Sequence, residues 1–239
     1  MIIMEEVKVP WTININNVDE KKLIQNVSFN MKTEQYTRFF NSDSINLFTD
    51  GSVVDKSTIG CIAHCIVINN RLYGTSAHMS NISFMEGTGS STMAELASIL
   101  YGLIGFNDSR LTSPILNVFT DSLNAVSMIR VPLLEVERSM SEGIPFNKIH
   151  YAIDKDRRLS DLGKMICHER LSMNVDSLRI YHVKGHCRDL LQQVTTFERL
   201  NGEPITLYDA SLIVAYNSFV DRYINASLRA GEKYYSDKY

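Results

Sequence analysis

The stretch FTDGSVVDKSTIG, residues 48–60, closes an apolar run on Asp50 and follows it at once with a glycine. Upstream, Ile45, Leu47 and Phe48 give INLFTD the character of a strand that ends at Asp50. The same construction returns in ILNVFTDS, residues 115–122, where the run ends on Asp121. Two such strands, parallel and side by side, would bring both carboxylates to one edge of a sheet, where open α/β folds bind ligands. Like charges a few ångströms apart repel, and a proton or a cation must hold them together. An all-oxygen donor set favours magnesium or manganese.

Working outward, IGCIAHCIVIN (59–69) is apolar on both faces, as a covered strand would be. NNRLYGTSAHM (69–79) pairs with it through a polar turn at Asn69–Asn70. In STMAELASILYGLIGF, Met93, Leu96, Ala97, Leu100, Leu103 and Ile104 recur at helical spacing. A short helix follows the second FTD in SLNAVSMIRV, and residues 131–157 read as irregular, with a weak basic patch in DKDRR. A helix over 158–171 shows Leu159, Leu162, Met165 and Ile166 on one face, and SLRIYHVKGH (177–186) is the last strand. A long loop leads to a final helix from Asp209 to about Ala230, striped by Leu212, Ile213, Tyr216, Phe219, Val220, Tyr223 and Ile224. The order of elements predicts an α/β protein with a mixed sheet carrying helices.

Residues 1–44 read as an addition to this body. VKVPWTINI alternates strictly, with Trp11 on the apolar side, and Pro10 suits an edge strand; KKLIQNVSFNMKTEQYTRFF (21–40) has weaker helical periodicity. The extension is expected to pack on the main body or on a second copy, forming a homodimer. Residues 45–230 make the main domain and 231–239 a tail.

Composition narrows the class. The 239 residues are 44% apolar and 21% charged with a net charge of −3, which suits a single globular domain with additions and gives no global pull toward nucleic acid. A polyanion would have to be met locally or through metal ions. Cys61, Cys65, Cys167 and Cys187 form no CxxC pair and read as free thiols in a reducing, cytoplasmic setting rather than as a disulfide or zinc framework. The acidic start MIIMEEVKVP is not a signal peptide, and no apolar run is long enough to span a membrane.

Two further carboxylates could join Asp50 and Asp121. TMAE has the form of a capping box, with Thr92 capping and Glu95 reaching back to a backbone N–H. A helix start facing the two strand ends would instead place Glu95 at the carboxylate pair. Asp221 lies on a flank of the last helix's apolar stripe, one turn beyond Asn217.

Taken together, FTDGS, MAELASI, VFTDS, HVKGH and NSFVDRYINAS, in this order over 45–230, resemble the motifs of the type 1 ribonuclease H family. The resemblance implies a ribonuclease H-like mixed five-stranded sheet flanked by helices. It implies metal ligation by Asp50, Glu95, Asp121 and Asp221, a mobile catalytic His186, and substrate contacts from Ser52, Ser122, Lys184 and Asn217. The activity implied is two-metal-ion hydrolysis of the RNA strand of RNA–DNA hybrids with Mg2+, or Mn2+ as substitute, the hybrid being read through groove shape, backbone and 2′-hydroxyl. His182 stands where the family usually has an aromatic residue, and 187–216 form a long insertion that offers Asp189 and Asp209 as alternatives to Asp221. A nuclease of the same fold acting on DNA or structured RNA is the alternative. A non-catalytic nucleic-acid-binding module of the same fold is the second alternative, against which the gathering of uncompensated carboxylates beside phosphates argues.

Overall fold

In the computed structural model, residues 37–53, 59–81, 90–187 and 189–236 are described. The strands are β1 (Ser44–Val53), β2 (Ile59–Ile68), β3 (Arg71–Asn81), β4 (Ser113–Thr120) and β5 (Val175–His182). The helices are α1 (Ser91–Asp108), α2 (Leu123–Ser141), α3 (Phe146–Lys155), α4 (Asp161–Ser172), α5 (Leu190–Asn201) and α6 (Leu207–Ser236). The five strands form one mixed sheet in the order β3-β2-β1-β4-β5. This is the architecture that the sequence resemblance implies.

Chain chemistry explains the topology. The β2–β3 hairpin turns at Asn69 and Asn70, both with positive φ (48° and 59°), as a two-residue turn matched to strand twist requires. The parallel β1–β4 and β4–β5 pairs are reached through helical crossovers. Alternation along each strand then divides the core. Leu47, Ile62, Leu116, Val118 and Leu178 pack with α1, α2, α3 and α4. Phe48, Cys65, Val67, Phe119 and Tyr181 pack with α5 and α6 on the opposite face. A sheet covered on both faces accounts for the apolar runs.

Several sequence expectations change. β1 does not stop at Asp50. Its pairing with β4 is recorded through Phe48 opposite Phe119, but the strand continues along β2 to Val53 opposite Gly60. The region read as irregular is helical: α2 continues through Pro132 to Ser141, and α3 follows. Val126, Ile129, Leu133 and Val136 form the buried face of α2, a helical spacing that Pro132 disguised. The insertion contains α5, with Asp189 capping its start through Leu191 and Gln192 N–H and Gly202 closing it at φ 72°. The final helix starts at Leu207 and reaches Ser236.

The alternating strand of residues 7–15, with Trp11, lies outside the described residues, as does most of the helix expected over 21–40. Residues 37–40 of that stretch are not helical. Phe39 and Phe40 are buried against the α5–α6 face. Phe39, 1% exposed, sets its ring edge-on to Phe119, Tyr181 and Phe197 at centroid distances of 5.4, 5.1 and 5.7 Å. Truncating this anchor removes contacts to β4, β5 and α5 together. Phe39→Ala is expected to cost about 3–5 kcal/mol in urea unfolding; a loss below about 1 kcal/mol would show that the ring is peripheral.

Candidate metal centre

The site follows from register. Phe48 lies opposite Phe119 on the parallel β1–β4 pair, so Asp50 and Asp121, each two residues further on, emerge on the same face of the sheet. Thr49 and Thr120 turn toward the other face, where α1 lies. Glu95, in the second turn of α1, completes a group of three with Asp50 and Asp121, one carboxylate oxygen from each lying within 4.8 Å of the others. Glu95 is only 7% exposed.

Gly51 makes this approach feasible. A Cβ at Gly51 would sit 2.2 Å from the Ala94 carbonyl carbon and 2.5 Å from the Glu95 nitrogen. The glycine after Asp50 therefore serves close contact between β1 and α1, not a turn. Gly185 does the same on the other side, since a Cβ there would come within 2.3 Å of Asp121 Oδ2.

The capping-box expectation is overturned. Ser90, not Thr92, caps α1 by accepting the Met93 N–H. Glu95 lies too far into the helix to reach back, and its Oε2 instead accepts a hydrogen bond from Thr120 Oγ1 at 3.2 Å.

The other anticipated residues gather around the triad to different degrees. Asn217, buried on α6, hydrogen-bonds the Asp121 carboxylate. Asp221, one turn on, is close enough for its charge to act on Asp50 and Asp121. His186 follows Gly185 with φ 50°, its side chain 81% exposed, and its Nδ1 lies 3.6 Å from Asp221 Oδ2. Lys184 is half-buried, its N–H donating to Gln193 Oε1. Ser122 caps α2 by accepting the Ala125 N–H, and Ser52 lies on β1 beyond Asp50, opposite Cys61. The alternative carboxylates are engaged elsewhere: Asp189 caps α5, and buried Asp209 accepts from Thr206 Oγ1 and the Arg38 N–H. His168, next to the buried Cys167, lies against Asp154 and His150.

Sequence reasoning missed Thr120 and the role of His182. The hydroxyl of Thr120 accepts the Ser122 N–H, leaving its single proton for Glu95. His182 Nε2 donates to the Asp121 carbonyl at 3.1 Å, anchoring the backbone beneath that carboxylate, and burial lowers its pKa. The threonine repeated in the two FTD motifs was the available signal for Thr120.

Burial is the main force on the carboxylates. It raises the pKa of Asp50, Glu95 and Asp121, and mutual repulsion adds to the rise at Asp50 and Glu95, which also share a hydrogen bond. The partners that favour the charged forms are uncharged or histidine: the Gly51 N–H and the protonated Glu95 carboxyl at Asp50, Thr120 at Glu95, and Asn217, His186 and His182 at Asp121. Among the described residues, no lysine or arginine forms an ion pair with these three. An all-oxygen, largely buried and uncompensated anionic set fits a hard divalent cation.

No protein-family model and no curated protein matches this sequence. Among solved structures, the chain is similar to RNase H1 from the halophilic archaeon Halobacterium salinarum NRC-1, with 12% identity over 67% of this chain and 99% of that one and a TM-score of 0.38. It is also similar to LC11-RNase H1 in complex with an RNA/DNA hybrid, with 15% identity over 59% and 86% of the two chains and a TM-score of 0.38. The strand order, with an α1 that crosses back over the sheet between β3 and β4, decides the architecture. Sheet order and crossover are those that the ribonuclease H resemblance implies.

A carboxyl whose pKa is higher in the folded state binds its proton more tightly there, so stability falls as pH rises from the ordinary carboxylate range into the raised range. In EDTA, thermal unfolding is therefore expected at higher temperature as pH is lowered from neutral into that window. Asp50→Asn at neutral pH should raise Tm by about 2–4 °C if roughly 1 kcal/mol of repulsion is relieved. A lower Tm for the variant in EDTA would contradict a strained anionic cluster.

Proposed function

We propose that the chain is a divalent-metal-dependent endonuclease that hydrolyses the RNA strand of RNA–DNA hybrids. The observation that carries this reading is the convergence of Asp50, Glu95 and Asp121 within 4.8 Å without a compensating lysine or arginine. Asp221, supplied by α6, is the fourth carboxylate in this reading.

Asp50, Glu95, Asp121 and Asp221 would hold two magnesium ions, or manganese in their place. When bound, such a pair supplies activation of water for in-line attack at phosphorus and charge neutralisation at the departing 3′ oxygen. The chain's own groups do the rest. Asp50, adjacent to both Glu95 and Asp121, would help to hold both ions. Thr120 and Asn217 orient Glu95 and Asp121 with neutral donors, which leaves the anionic charge of the set intact for cations. His186, exposed on a left-handed turn beside Asp221, is free to exchange protons with solvent and to assist product departure. Lys184 offers a local positive charge to phosphate, and Ser52 and Ser122 border the cluster as hydroxyl donors; the Ser122 oxygen accepts the cap hydrogen bond, so its proton remains available.

No helix among the described residues is long and apolar enough to cross a membrane. Whether residues 1–44 join two copies is a separate proposal, and light scattering on the full chain answers it: a monomer removes the dimer.

The test is a labelled hybrid incubated with the full chain and magnesium, beside duplex DNA and duplex RNA of the same sequence. The hybrid's RNA strand should be cut, EDTA should stop the reaction, and Asp121→Asn should slow it by at least about 100-fold. Preferential cutting of either duplex would transfer the assignment to a nuclease of other specificity. An intact hybrid, or an Asp121→Asn variant as fast as wild type, would overturn it.

A further inference from the structure

The last helix presents Asn217, Asp221 and Asn225 at intervals of four residues, on one stripe. Asn217 reaches across to Asp121, but Asn225 acts on its own helix. Its Nδ2 donates to the Asp221 backbone carbonyl at 2.8 Å and to Asp221 Oδ1 at 3.0 Å. One amide thus spans the main chain and the side chain of the same residue, and its two N–H groups restrict how the Asp221 carboxylate can rotate. With Oδ1 held, Oδ2 is the oxygen left on the His186 side, 3.6 Å from Nδ1.

We infer that Asn225 is a positioning residue that orients Asp221 Oδ2 toward a divalent cation at the carboxylate cluster. This rests on the reading of Asp221 as the fourth metal ligand. Two observations separate the role from plain helix architecture. Asn225 is exposed, so it fills no core space. Asparagine in a helix interior is also less favourable than alanine, because its side chain competes for backbone hydrogen bonds. A residue there only to build the helix would be improved upon by alanine. Asn225 lies one full turn beyond Asp221, so its amide supports the ligand from behind rather than forming part of the cluster.

The two roles predict opposite pairings of stability and binding. Full-length wild type, Asn225→Ala and Asp50→Asn are titrated with MnCl2 by isothermal calorimetry, and their Tm is measured in EDTA. Positioning predicts that Asn225→Ala weakens Mn2+ binding about tenfold, while its Tm in EDTA stays the same or rises. In hybrid cleavage, the metal concentration for half-maximal rate should rise by a similar factor, and the rate should recover at saturating metal. Unchanged Mn2+ binding by Asn225→Ala, with binding lost in Asp50→Asn, would overturn the role of Asn225 and leave the metal centre standing. A fall in Tm that accounts for the weaker binding would also overturn it, because the residue would then be structural. Absence of Mn2+ binding by wild type would overturn this inference and the metal reading together. Metal binding without hybrid cleavage would remove the proposed activity alone.

Discussion

The structure turns on repulsion between carboxylates that the backbone brings together. The parallel β1–β4 pair emits Asp50 and Asp121 side by side, and α1 descends onto β1 closely enough to add Glu95. Each placement follows from backbone geometry: register for the aspartates, and the missing Cβ of Gly51 for the helix. Nothing about folding rewards the result. Desolvation and mutual repulsion both disfavour the charged forms, and the neutral donors Thr120 and Asn217 orient the carboxylates without neutralising them. Such an arrangement makes physical sense as a cation site, where attraction to a divalent ion offsets the strain.

Everything around the cluster serves its rigidity. The aromatic group of Phe39, Phe48, Phe119, Tyr181 and Phe197 lies on the same face as the aspartates, a few residues back along β1 and β4. It ties the segment before β1 to β4, β5 and α5, so the strand ends are fixed from beneath. On the other face, the buried positions of α1 lock the helix that carries Glu95. Around Asp121, the His182 hydrogen bond to its carbonyl and the close passage of Gly185 fix the main chain itself.

Much of this was legible in the residues. The two FTD runs named the aspartates, and the Asn69–Asn70 pair named the hairpin; both signals are local and depend on the chain's own stereochemistry. The wide apolar stripe located α6, since burial of one face leaves a periodic trace. What failed were readings in which a local rule competed with tertiary contact. TMAE satisfied the capping-box pattern, but Ser90 took the cap and Glu95 turned to Thr120, a partner 25 residues away that no spacing rule reveals. Asp50–Gly51 looked like a strand stop because glycine usually marks a turn, whereas here it marks contact with another backbone. Pro132 hid the continuity of α2, and α5 was lost in a polar stretch with few buried positions, Gln193 and Phe197 among them.

The central claim is that Asp50, Glu95 and Asp121 are held together in order to bind a divalent cation. Anomalous diffraction from crystals grown in manganese tests it most directly. The account predicts a manganese peak within bonding distance of all three carboxylates. Crystals saturated with manganese that show no peak there, or show a protein cation occupying the space between them, would contradict it.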